Sequence, residues 1–121
     1  MPIINLTPHS VLIFEPNTPD RIFIEQLNDY LVVKTFLASS EPLRLKEEYV
    51  GNSSVDDQMI YNVQYGHLTF EPPQEPDTYY IVSIATALAC RGWRTDFLVP
   101  YLEVRNIDGT VIGCRALARP V

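Results

Sequence analysis

The sequence predicts an α+β fold, a mainly antiparallel β-sheet with one or two short helices in the C-terminal half, in a single ligand-binding domain over residues 1–121. Three observations predict it. Short apolar runs broken by Pro, Asn, Asp and Gly fill the first two-thirds; one stretch after Ser83 has helical spacing and a cap; and a strand, Asp-Gly, strand pattern lies near the end. With 121 residues, 46% of them hydrophobic, the chain can build one modest core and not two.

In chain order, β-type runs fall at Val11 to Phe14, Arg21 to Ile24, Leu31 to Phe36, Met59 to Tyr65 and Leu68 to Phe70. Within Met59 to Tyr65, Tyr61, Val63 and Tyr65 share one face and Asn62 and Gln64 the other, the alternation of a half-buried antiparallel strand. Whether Tyr61, Tyr65 and Phe70 then serve core or interface stays open, because the pattern is the same in both. The polar stretch from Glu41 to Asp57 fits a strand pair, a short helix or a long loop. Pro72-Pro73-Gln74-Glu75-Pro76-Asp77 fixes three φ angles and is expected to be a stiff connector.

Tyr79 to Val82 reads as a strand, Ser83 as the N-cap of a helix, and Ile84, Ala85, Leu88 and Ala89 as its apolar face, ending near Gly92. A hairpin follows, Tyr101 to Ile107 and Thr110 to Ala116, joined by an Asp108-Gly109 two-residue turn that sets Asn106 opposite Val111, Val104 opposite Gly113 and Leu102 opposite Arg115. Gly113 would then leave an uncovered patch beside Arg115. Tyr79 and Tyr80 point to opposite faces of their strand, and Tyr80 is the one expected to be available to a ligand. Trp93 and Phe97 are expected in the core.

Charge is uneven. The formal net charge is −6, yet residues 1–90 carry 4 basic and 12 acidic side chains while residues 91–121 carry 5 arginines and 3 acids. An acidic chain is repelled by a phosphate backbone, so long nucleic acid is not an expected partner, whereas a small anion held by a few arginines is compatible. Cys90 and Cys114 lack CxxC spacing and sit among apolar residues, which favours buried reduced thiols over metal or redox chemistry. No basic leader opens the chain and no apolar run approaches the ~18 residues of a membrane span. A cytoplasmic protein without a membrane partner is expected.

No nucleophile elbow, zinc helix, CxxC pair or phosphate loop occurs, and His9 beside a Thr-Pro turn suits a structural hydrogen bond better than a base. No catalytic residue, metal or cofactor is therefore expected. The join at Ser83 presents free amides to an anion, or is simply a capped strand-to-helix connection. Arg91 and Arg94 flank the helix end, and Arg105 and Arg115 lie on the hairpin, where guanidinium groups bind phosphate in parallel hydrogen bonds or remain solvated. A base stacked on an aromatic ring gains roughly 1–3 kcal/mol.

Asn5-Leu6-Thr7-Pro8-His9 at the start, Tyr80-Ile81-Val82-Ser83 before an alanine-rich helix, Arg94-x-Asp96, and Asp108-Gly-x-Val-Ile-Gly-Cys-Arg115 together resemble small phage and prophage proteins, most closely the first group of Thoeris anti-defence proteins. The likeness spans nearly the whole length in short motifs. It implies a non-enzymatic sponge that sequesters a cyclic ADP-ribose isomer made by TIR-domain enzymes, in the host cytoplasm, without cleaving it. It further implies a homodimer with the ligand at the subunit boundary, and dimers able to assemble further. On that implication Tyr80 faces the base, Arg94 and Asp96 edge the pocket, Arg105 or Arg115 pairs with pyrophosphate and Ser83 donates from the helix start; Arg91 and Asn106 complete the set. Some relatives hold cyclic oligonucleotides at a second arginine-rich site; the N-terminal strands here offer only Arg21.

Two other classes stand beside this reading. An enzyme that hydrolyses or modifies an ADP-ribose-type nucleotide would use His9, Asp96 or Asp108 as acid or base. A phage structural or assembly protein would use its tyrosine-rich β surface for oligomerisation. For the sponge, removing Arg105 and Arg115 together is expected to abolish binding without unfolding.

Overall fold

Most strand pairing is antiparallel, and the described residues are mostly β-sheet with a single short α-helix. The computed structural model describes residues 2–26 and 29–121, and of Ile24 only the backbone. Its strands are β1 (Ile3–Asn5), β2 (Val11–Phe14), β3 (Val32–Phe36), β4 (Leu45–Val55), β5 (Gln58–Leu68), β6 (Tyr79–Ile81), β7 (Phe97–Arg105) and β8 (Val111–Ala118), with helix α1 (Ile84–Cys90) between β6 and β7. A six-stranded sheet runs β1-β6-β7-β8-β2-β3, and β4 and β5 form a separate two-stranded ribbon. The larger sheet is mixed: β1, β6 and β7 are mutually parallel, as are β2 and β8, while β7–β8 and β2–β3 are antiparallel.

The sheet curls until its two edge strands meet, and one side chain closes the seam. Asn5, buried at the end of β1, donates through Nδ2 to the carbonyls of His9 (2.8 Å) and Phe36 (3.1 Å) and accepts through Oδ1 from Thr7 N (2.9 Å) and Thr7 Oγ1 (2.7 Å). Ser39 N adds a bond to Thr7 O at 2.9 Å. Inside the curl, Val11, Ile81 and Cys114 pack with Ile3, Ile13, Phe36 and Leu117, residues drawn from both edges and the middle of the sheet. Against the outer face, α1 packs through Thr86, Ala87 and Cys90, joining Leu6, Leu43, Leu68, Tyr80, Val82, Phe97 and Val99. Small helix residues let the backbone approach the sheet closely. A third cluster, Phe14, Ile22 and Val104, fills the remaining end.

Several expectations need correction. The apolar face of α1 is turned outward: Ile84 and Leu88 are exposed, as are Ala85 and Ala89, because Thr86, Ala87 and Cys90 make the close contact with the sheet. Arg21 to Ile24 is not a strand; Arg21 makes one bridge to Arg105, Ile22 is fully buried, and a 3₁₀ turn spans Ile24–Gln26. The run at Met59 continues past a register shift at Gly66 to end at Leu68, so Thr69 and Phe70 lie beyond the strand and Leu68 to Phe70 is not a separate one. The undecided stretch after Glu41 supplies its partner β4. Asp56 and Asp57 turn that ribbon with φ of 49° and 60°, the left-handed pair of a tight hairpin, which Asp tolerates through local hydrogen bonding.

At the second hairpin Val104 does sit opposite Gly113, but Arg105 and not Asn106 faces Val111. Asn106 has left the ladder: its Oδ1 accepts from the amides of Asp108 and Thr110, both at 3.0 Å, making a longer loop in which Gly109 takes φ +84°. Trp93, expected in the core, is 54% exposed, whereas Phe97 is buried. The proline segment is the irregular connector expected, and Tyr80 Oη donates to Pro73 O at 2.6 Å.

Asn5 makes a stability test of the seam. Asn5→Ala is expected to lower the unfolding free energy by about 2–3 kcal/mol, and Asn5→Asp by more at pH 7, since an oxygen replacing Nδ2 would face two carbonyls. Urea unfolding of the three proteins measures this. An Asn5→Asp protein as stable as the parent would contradict the seam.

Candidate functional site

Three of the four arginines expected to hold a ligand, Arg94, Arg105 and Arg115, are already engaged within the chain. Arg94 is buried and lies flat against Asp96, Nε to Oδ1 at 2.9 Å and Nη2 to Oδ2 at 2.8 Å, while Nη2 also reaches Pro72 O at 3.0 Å and Nη1 reaches Glu71 at 3.3 Å. Its guanidinium stacks 4.5 Å from the Phe97 ring centroid. The Asp96 hydrogen bond pushes the Arg94 pKa upward against the effect of burial. Arg94 and Asp96 therefore form a buried structural pair that anchors the proline connector, and not a pocket edge.

Arg105 donates to Gly109 O at 2.8 Å and pairs with Glu103 at 3.2 Å, bracing the loop that Asn106 organises. Arg115 donates to Thr18 O at 2.8 Å and to Leu102 O at 3.3 Å, and pairs with Asp20. Gly113 offers no bare patch for a base. A Cβ there would lie 2.5 Å from Phe14 Cε2 and 2.7 Å from Leu12 O, so the absence of a side chain serves close packing. Tyr80 is 4% exposed, and burial first, then the charges of Glu75 and Asp96, raises its phenol pKa; Tyr79 is the less buried of the two. Arg91 is exposed at the helix C-cap. Ser83 does cap α1, but its hydroxyl is used: Oγ accepts from Thr86 N at 3.2 Å and donates to Thr86 Oγ1 at 2.9 Å.

Clefts of ligand size lie among the described residues, and three of them bear on the site. One of about 780 Å³ is an open groove along the seam, between Pro2–Asn5 and Lys34–Ser40, and a smaller one of about 440 Å³ lies beneath the proline connector. The most enclosed, about 610 Å³, gathers Thr7 to Val11, Arg44, Val82 to Ile84, Val99, Pro100, Glu103 and residues 111–114 of β8. Its floor is apolar, and of the eight expected site residues it contains Ser83 alone.

Topology explains why this cleft exists. From β1 the chain passes the end of β3 on its way to β2, held there by Ala38 N to Ser10 Oγ at 3.3 Å; from neighbouring β6 it passes through α1 to β7. The strands β1 and β6 both end at this cleft, and the segments that follow them, Thr7 to Val11 and Val82 to Ile84, form two of its walls. Arg44 is the only full positive charge lining the cleft, and no bond from its guanidinium is recorded among the described residues. Glu103, the only carboxylate, is paired with Arg105, and His9 presents an exposed imidazole. Arg44 lies in the stretch left undecided from sequence, so nothing marked it.

Compared with known proteins, the chain matches no family model, no curated protein and no solved structure. Among the described residues no group of three or more His, Cys, Asp or Glu is placed to hold a metal, and no helix is long and apolar enough to cross a membrane. Cys90 and Cys114 are buried free thiols whose pKa values burial pushes up.

Two outcomes follow from these environments. Arg94→Met leaves the Asp96 carboxylate buried and unpaired and is expected to cost about 3–5 kcal/mol, most of it recovered in Arg94→Met with Asp96→Leu, because an apolar replacement removes both charges. Denaturant melts of the single and double variants decide; a loss under about 1 kcal/mol in the single variant would contradict a buried pair. Raised thiol pKa values mean the folded state holds these protons longer than the unfolded state, so their contribution is present below the ordinary thiol range and is lost as pH rises through the folded values. Stability should therefore fall in alkaline solution, less so when both cysteines are replaced by alanine in a fold that tolerates it.

Proposed function

We propose that the protein is a non-enzymatic binding protein whose cleft beyond β1 and β6 takes a small nucleotide-type anion, a cyclic ADP-ribose isomer in the reading given by the resemblance, and sequesters it without cleavage. The observation that carries this is the cleft of about 610 Å³ at the ends of β1 and β6, within the size range of small-ligand sites and lined by an apolar floor with a few polar groups. The pocket assignment changes with it. Arg44 takes the phosphate role first given to Arg105 and Arg115, His9 offers a second hydrogen bond, and Ile84, Val99 and Pro100 supply the apolar surface against which a base lies. Tyr80, Arg91, Arg94, Asp96 and Asn106 lie outside the lining.

Sequestration asks for slow release, which well-paired phosphates and a base laid on apolar surface favour and for which no acid or base is required. If the reading holds, the protein acts as a sponge against a TIR-derived signal in the host cytoplasm. Dimer formation, with further assembly of dimers, belongs to the same proposal.

The test is to incubate the purified protein with each cyclic ADP-ribose isomer, separate bound from free, denature, and identify the released molecule by mass spectrometry. Intact ligand is expected, with retention weakened about tenfold or more in Arg44→Ala, as for the loss of a hydrogen bond to a charged group. Altered product would establish an enzyme instead. Retention of no isomer would reject the proposal and leave an assembly protein.

A further inference from the structure

Glu103 is the one carboxylate lining the cleft, and the chain departs from regular strand geometry on both sides of it. Tyr101 pairs with Ala116 and Glu103 with Cys114, but Leu102 between them takes φ 56°, a left-handed conformation that bulky side chains seldom adopt. The ladder then shifts register between Val104 and Arg105. Irregularities of this kind re-aim a neighbouring side chain and gather at sites of function. Residues directly opposite in a ladder share a face, so Glu103 lies on the face of Cys114, and both line the cleft.

Two arginines hold this arrangement. Arg115 Nε donates to the carbonyl of the kinked Leu102 at 3.3 Å while its Nη1 donates to Thr18 O at 2.8 Å. Arg105 Nη2 donates to Glu103 Oε1 at 3.2 Å, and its Nη1 is fixed by Gly109 O at 2.8 Å. The carboxylate is thus oriented from its protein side. Its side chain is 43% exposed, and Oε2 has no partner recorded among the described residues. A carboxylate only accepts, through about four lone-pair positions, so one bond from Arg105 leaves two adjacent acceptors for donors in the cleft.

The charges on the walls decide what those donors belong to. Arg44 follows Leu43, whose amide donates to Leu6 O at 2.9 Å, so the positive charge stands by the Thr7–Val11 wall and the negative charge of Glu103 on the β7–β8 wall. Phosphate is drawn to the first and repelled by the second. Hydroxyls on adjacent ribose carbons present two neutral O–H donors side by side, and an acidic side chain takes a ribose hydroxyl in the same way in dinucleotide sites.

We propose that Glu103, positioned by Arg105, is the acceptor for a vicinal ribose hydroxyl pair, a role that rests on the cleft being the nucleotide site proposed above. The ligand then lies with its phosphates toward Arg44 and its diol toward β7. An anion of similar size without the diol leaves the carboxylate facing it without a donor, and is disfavoured for that reason. Contact is made through the carboxylate, so binding leaves the backbone from Arg105 to Thr110 in place.

Calorimetric titration with each cyclic ADP-ribose isomer, and with its counterpart lacking the free ribose hydroxyls, tests the assignment. The parent protein is expected to bind the hydroxylated ligand about tenfold or more tightly than the deoxy counterpart, and Glu103→Met to bind the two within about twofold. Arg105→Met, which removes the brace and keeps the carboxylate, should lose part of the preference and Arg105→Lys should restore it, a response that a purely structural arginine would not give. Arg44→Ala should weaken both ligands alike. If Glu103→Met does not fold, as judged by its melting, Glu103→Gln serves, with the preference reduced. A preference that survives in the Glu103 variants, or a parent protein indifferent to the hydroxyls, would overturn this role while leaving the cleft as the nucleotide site. Binding of no isomer would overturn both.

Discussion

The carboxamide of Asn5 is the constraint on which the rest depends. It uses both donors and its acceptor oxygen at the point where β1 ends, tying that edge strand to β3 and folding Thr7 to His9 back over it. Without that tie the mixed sheet has two free edges and the interior cluster around Ile81 and Cys114 is open to water. With it, the β1–β2 connection is held across the end of β3. The cleft is a consequence of that geometry: its Thr7–Val11 wall is the segment that Asn5 positions.

The C-terminal arginines serve a different end. Arg94, Arg105 and Arg115 each join segments that have no strand pairing of their own: the proline connector, the Asn106 loop, and the Thr18–Asp20 turn. A guanidinium suits this because its several donors fix two or three carbonyls or carboxylates at once. An arginine excess in the last quarter of an acidic chain reads equally well as a ligand site from sequence alone. The Asp96 partner of Arg94, two residues away, was in view; the Asp20 partner of Arg115, 95 residues away, was not.

Local chemistry made much of the fold legible. Strand β2, β6 with the Ser83 cap of α1, the stiff proline connector and the chain reversal at Asp108-Gly109 follow from capping, periodicity and turn residues, and the α+β class follows from them, whereas the start of β7 at Phe97 and the longer loop that Asn106 organises do not. Less legible were features set by distant contacts. The helix face was inverted because Thr86, Ala87 and Cys90 win close approach over the larger Ile84 and Leu88. Strand β4 was obscured by Asn, Ser and Gly, residues that a ribbon open to solvent accepts and a core strand does not. In β5 the alternation of Tyr61, Val63 and Tyr65 was correct, yet alternation encodes a surface to be covered and does not say by which chain. Arg44 of the cleft carried no local signal at all, and His9 was marked only as a hydrogen-bonder or a base, not as a wall of the cleft.

The most direct test of where a ligand sits is to titrate a cyclic ADP-ribose isomer into ¹⁵N-labelled protein and map the amide shifts. Changes confined to Leu6–Val11, the neighbourhood of Arg44 and Val82–Ile84 are what the cleft beyond β1 and β6 requires. Changes centred instead on Arg105 to Thr110, with the Asn5 turn undisturbed, would return the site to the arginine-rich hairpin and contradict the account.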